Sequence, residues 1–146
     1  MARKLPTFAR IGLGLIFVVF GANGFLQFLP QPPMPAAAGA FAGALAASGY
    51  LFPLLKVVEI AAGLMLLSNR YVTLALALLA PVVVNIVAFH LFLAPGGLAI
   101  AGLVLALEIY LAWAYRAAYA PMLKARVAPT AAAQRAPAPR GVLATE

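Results

Sequence analysis

The sequence predicts an all-α membrane protein, an antiparallel bundle of four transmembrane helices with a short outer interfacial helix between spans one and two. Three observations predict it. Of 146 residues, 66% are hydrophobic and 9% charged, whereas a soluble domain carries about 25% charged residues and about 45 to 50% apolar ones. Several long apolar stretches approach the ~20 residues a helix needs to cross ~30 Å of hydrocarbon. The basic residues flank those stretches without forming a dense block, the pattern of membrane-protein flanks rather than of a nucleic-acid groove.

The first span is expected over 11–29. Its unbroken apolar length exceeds the 7 to about 15 residues of a secretory h-region, so it is expected to be retained. Pro30, Pro32, Pro33 and Pro35 then break the helix, and the small apolar run Ala36 to Ser48, about 20 Å long as a helix, is too short to span. It is expected to lie in the outer interface or to cap the bundle. Gly39 and Gly43 match the small-xxx-small spacing of close helix contacts, although simple filler explains them better in so Ala-rich a stretch. The second span is expected over 53–68, with Pro53 in the first turn, where its missing N–H costs nothing. Spans three and four are expected over 71–93 and 98–115. The short links at Asn69-Arg70 and Ala94 to Gly97 predict antiparallel neighbours. Residues 1–119 thus form a four-span membrane domain. The Ala-, Pro- and Arg-rich segment 120–146 cannot build a core and is expected to be a disordered cytoplasmic tail.

Orientation follows from the cations. With the N-terminus inside, Arg3, Lys4, Arg10, Arg70, Arg116, Lys124, Arg126, Arg135 and Arg140 all fall on the cytoplasmic side of the membrane. Tyr71, Trp113, Tyr115 and Tyr119 are then expected at the cytoplasmic interface, and Phe28, Tyr50 and Phe92 at the outer one.

Composition excludes several chemistries. There is no Cys and one His, so thiol redox, thiolate metal sites and a bis-His haem held by one copy are ruled out. No nucleophile-base set, phosphate loop or metal-spaced cluster is present, and no catalytic residue is assigned.

The informative residues are those that hydrocarbon does not tolerate: Asn23, Gln27, Lys56, Glu59, Asn85, His90 and Glu108. A charge at the bilayer centre costs about 3 kcal/mol or more, so such groups turn inward and find partners. Counted down from the outer face at about 1.5 Å per residue, they all fall in the outer half of the spans. His90, Lys56 and Gln27 lie near the top and Glu108 near the midplane. Asn23 with Gln27, and Lys56 with Glu59, share helix faces. Asn85 and His90 are about 140° apart and border one cavity only from its two sides. Pro81 frees the carbonyl of Ala77, which predicts a bend and open space above it. A polar pocket that opens outward is the expectation. Plainer roles compete: Lys56 and Glu59 as a neutralising pair, His90 as an interfacial hydrogen-bonding group, and Asn23, Gln27 and Asn85 as interhelical bonds. Glu108 must be protonated, paired with Lys56 or hydrated.

The run Lys56-Val-Val-Glu59-Ile-Ala-Ala-Gly63-Leu, the run Ala80-Pro81-Val-Val-Val-Asn85-Ile-Val-Ala-Phe89-His90-Leu-Phe, and Tyr115-Arg116 followed by Pro121 resemble the DoxX family of small bacterial membrane proteins. The resemblance covers residues 8–123. It implies a four-helix membrane bundle and carries over Lys56, Glu59, Pro81, Asn85 and His90 as motif positions. Some DoxX and DoxD relatives are subunits of quinone-linked oxidoreductases or partner with redox enzymes. The resemblance therefore implies an accessory or ligand-binding subunit of a membrane redox system, with a quinone as the cofactor class, a membrane or peripheral redox partner, and little catalysis by this chain alone. The competing expectation is a structural or assembly subunit whose polar cluster only locks the helices. A transporter is disfavoured, since no inverted repeat or pair of broken helices is visible.

Overall fold

A computed structural model describes residues 4–30 and 33–127. The helices are α1 (Leu5–Leu26), α2 (Ala36–Ala47), α3 (Leu51–Leu67), α4 (Val72–Phe92), α5 (Leu98–Ala114) and the single turn α6 (Arg116–Tyr119), with a 3₁₀ turn at Pro95–Gly97 before α5. No strand occurs among the described residues. Of the segment expected to form the tail, 128–146 lie outside the described residues, as do Arg3 and Pro32.

Three helical stretches are long and apolar enough to cross a membrane: α1, α4, and Pro95–Ala114. With 17 residues, α3 is short for a span. It follows α2 at an angle of 92°, and the bent pair raises the count to four if it is one broken span. Ser48 fixes that corner: its hydroxyl donates to the Leu45 carbonyl and accepts from the Leu51 N–H. Gly49 supplies the left-handed φ of 74° that the reversal requires.

The helix boundaries depart from the expected spans mainly in α1, which starts at Leu5 instead of residue 11. Pro6 occupies the first turn, where a residue without an N–H is favoured. The shift places Arg10 inside the helix. At its other end α1 stops at Leu26, and Gln27 closes it in the left-handed conformation with φ 49°. The end of α3 is a Schellman motif. Asn69 takes the left-handed φ of 57°, its N–H donates to the Leu66 carbonyl, and the Arg70 N–H donates to that of Met65. α4 continues unbroken through Pro81.

Packing in an apolar solvent gains little from hydrophobic exclusion, so helices associate through close backbone approach. α1 and α3 are joined that way, in opposite directions: Gly14 meets Gly63, Gly21 meets Ile60, and Gly24 meets Lys56. By contrast, a Cβ on Gly39 or Gly43 would meet nothing within 4 Å, so those glycines form no seam here. The core is built by Leu13, Phe17, Leu66, Leu76, Leu79 and Leu111, all essentially inaccessible. Outside it, Leu15, Leu64, Leu78, Leu103 and Ile109 are exposed. Helices apolar on all faces suit contact with lipid rather than water.

One end of the assembly gathers the cations. Arg10 reaches the end of α3, Arg70 follows it, and Tyr119 after α5 reaches Thr73 at the start of α4. Tyr71 and Trp113 are exposed at this end. Tyr115 and Tyr119 lie at the same end, half-buried and packed against the core.

Candidate functional site

At the opposite end of the helices lies a cavity of about 750 Å³. α1 contributes Ile16, Phe17 and Phe20, α3 contributes Lys56 and Glu59, and α4 contributes Ile86, Phe89 and His90. Ile100 and Val104 of α5, the 3₁₀ turn, and Pro33 to Pro35 close the remaining sides. α2 braces this end through Phe41, whose ring lies 5.9 Å from that of Phe89.

The polar content is small and well defined. Lys56 Nζ donates to both carboxylate oxygens of Glu59, at 3.1 and 2.8 Å. The pair is three residues apart on one helix, the spacing that places two side chains on one face. Glu59 is only 3% exposed, so its charge depends on Lys56. The Lys56 stem fits against Gly24, where a Cβ would stand 2.6 Å from it, and Nζ lies 5.5 Å from the Phe52 ring centroid, within cation–π range.

His90 Nδ1 lies 3.0 Å from the Ala94 carbonyl oxygen. A carbonyl only accepts, so Nδ1 carries the hydrogen, and in the neutral imidazole Nε2 is an acceptor. The ring stands edge-on to Phe89 at 5.3 Å and is backed by Gly97, whose missing side chain leaves the space the imidazole occupies. The cavity thus combines aromatic walls, an ammonium with one donor to spare, and one imidazole acceptor.

Only part of the expected constellation assembles here. Lys56, Glu59 and His90 meet on the cavity; Gln27, Asn23, Asn85 and Glu108 do not line it. Gln27 is exposed beyond the end of α1, because the helix stops one residue before it and the shared face with Asn23 is lost. Asn23 is buried, but its Oδ1 accepts from the Leu29 N–H at 2.7 Å. It ties down the chain leaving α1 and makes no interhelical bond. Asn85 is exposed. The cavity face of α4 is centred on Ile86, Phe89 and His90, and Asn85 lies about a quarter turn away from that centre.

Glu108 is the largest departure. It is 6% exposed and lines a second cavity of about 410 Å³ between α4 and α5, with Leu76, Ala77, Ala80, Val83 and Tyr119. Lys56 is not its partner, being committed to Glu59. Pro81 lines neither cavity, although its neighbours Ala77 and Ala80 on α4 line the second. Tyr119 donates its hydroxyl to the Thr73 carbonyl at 3.1 Å. Burial raises its phenol above the ordinary value, and the neighbouring Glu108 charge adds to the effect.

Sequence reasoning missed Arg10. Counted there as a flanking cation, it is 7% exposed and donates through Nη1 to the carbonyls of Leu66 and Leu67. A guanidinium at a helix C-terminus satisfies orphan carbonyls and opposes the negative end of the dipole. The available signal was Pro6, which sets the helix start upstream of Arg10.

The fold and cavity define an all-helical protein with three, or with the bent pair four, membrane-spanning candidates and an apolar outer surface compatible with lipid. No protein-family model, curated protein or solved structure matches the chain.

Proposed function

We propose that this chain is a DoxX-like, multi-pass protein of the bacterial inner membrane. Its four spans run antiparallel, α2 lies in the outer interface and both termini are cytoplasmic. Its upper cavity binds an amphipathic ring compound of the quinone or quinol class as an accessory subunit of a membrane redox system. The orientation is supported by the cations at one end and the largely uncharged opposite end. The resemblance carried by Lys56, Glu59, Pro81, Asn85 and His90 supports the family.

One observation carries the ligand reading. The polar groups of the cavity do not bridge helices: Lys56 bonds Glu59 on its own helix, and His90 bonds Ala94 just beyond its own helix. A cluster serving only to lock the bundle would link one helix to another. Groups satisfied locally and aligned on an aromatic cavity suit an apolar ring with polar oxygens. A quinol hydroxyl matches the acceptor at Nε2, and a ring oxygen matches the spare Lys56 donor. A bound quinone would supply the redox chemistry; the chain supplies orientation, charge balance and exclusion of water.

The test is binding of a decyl-substituted benzoquinol to the detergent-solubilised chain, followed by native mass spectrometry. One molecule per chain is expected, with affinity lowered about tenfold or more in His90→Ala and Lys56→Met, since each removes a buried directional bond. Binding unchanged in both variants overturns the reading. Mass spectrometry of lipids co-purified under mild conditions identifies the natural occupant.

A further inference from the structure

The second cavity holds an arrangement that the upper site does not use. Among the described residues, Glu108 Oε2 is the one buried side-chain oxygen or nitrogen with no hydrogen-bond partner. Apart from Tyr119, the residues that line this cavity with it are all aliphatic: Leu76, Val83, Val84, Leu105, Ile109 and three alanines. The hydroxyl of Tyr119 is spent on Thr73. Ala77, Ala80, Val84 and Ile109 are exposed, so the cleft opens sideways between α4 and α5, toward the acyl chains if these helices span the bilayer.

We propose that this cleft binds lipophilic organic ammonium compounds, with the N–H of the cation donating to Glu108 and the hydrocarbon body lying along the alanine-lined trough. The physical argument is complementarity. A carboxyl buried in hydrocarbon is costly to ionise alone, and a positively charged donor beside it offsets that cost as no neutral ligand does. Small side chains at Ala77, Ala80 and Ala112 leave the volume, and the lateral opening admits molecules that partition into the membrane. A cation with no N–H offers charge without a hydrogen bond and binds less well. The proposal is independent of the ligand in the upper cavity.

The test uses the full chain in mild detergent with dodecylamine as probe, read by native mass spectrometry, and dodecyltrimethylammonium and dodecanol as comparisons. Wild type is expected to take up one dodecylamine, with dodecyltrimethylammonium and dodecanol each about tenfold weaker. Glu108→Gln is expected to reduce dodecylamine affinity to the level of dodecanol. Ala80→Leu, which keeps the carboxyl and fills the trough, is expected to reduce it comparably and stands in if Glu108→Gln does not fold. Glu59→Gln leaves it unchanged. Equal binding of all three probes, dodecylamine affinity that follows Glu59, or affinity unaltered by both cleft variants overturns the proposal.

Discussion

Gly14 of α1 and Gly63 of α3 bring their backbones into direct contact. A Cβ on Gly14 would stand 3.0 Å from the Gly63 carbonyl oxygen, and one on Gly63 would stand 2.9 Å from that of Gly14. Backbone cannot rotate aside as a flexible side chain does, so an added methyl must separate the helices. Gly14→Ala and Gly63→Ala are each expected to destabilise the fold by about 1–3 kcal/mol, the usual range for overpacking. Gly12, where an added methyl would meet nothing within 4 Å, is the control: Gly12→Ala is expected to stabilise by about 0.5 kcal/mol. Unfolding in mixed micelles measures all three.

Arg10 ties α1 to the last carbonyls of α3. Arg10→Met is expected to cost about 1.5–3 kcal/mol, the range for hydrogen bonds to a charged group, and to speed amide exchange over 66–70. Arg70→Met, at an exposed position, is expected to stay within about 0.5 kcal/mol of wild type. Thermal unfolding and hydrogen exchange distinguish the two.

The Lys56–Glu59 pair predicts strong non-additivity. Lys56→Met strands a carboxylate that is only 3% exposed and is expected to cost about 3–5 kcal/mol. Lys56→Met combined with Glu59→Leu removes both charges and is expected to recover most of that loss while quinol affinity stays about tenfold or more below wild type. A double-mutant cycle on unfolding free energy checks the coupling.

His90 is held from behind by Gly97. Gly97→Ala puts a methyl where the imidazole lies, so it is expected to weaken decyl-benzoquinol binding to nearly the level of His90→Ala. Gly12→Ala, which meets nothing within 4 Å and lies outside the cavity, is expected to bind as wild type. Asn85→Leu is likewise expected to leave binding unchanged, because Asn85 lies outside the cavity. Titration of the four variants with the same probe decides among these placements.

What was legible in advance followed from local rules. The apolar stretches and their short links anticipated the helices to within a few residues in α3, α4 and α5. The three-residue spacing of Lys56 and Glu59 anticipated their pairing, since a helix puts such positions side by side. Depth along a span was legible too, but depth is one coordinate. Whether Asn85, Glu108 and His90 meet depends on the rotation of α4 and α5 about their axes, and the nearly uniform apolar sequence of both helices leaves that rotation unmarked.

From its residues alone, then, this chain is an apolar helical protein with its cations at one end and a few costly polar groups in its helices, because hydrocarbon content and charge placement are additive along a sequence. Tertiary packing decided how those groups divide. The glycine seam of α1 against α3 and the rotation of α5 put Lys56, Glu59 and His90 on one cavity and leave Glu108 alone in another. Close approach between backbones is fixed by shape in three dimensions, and no single helix carries that information.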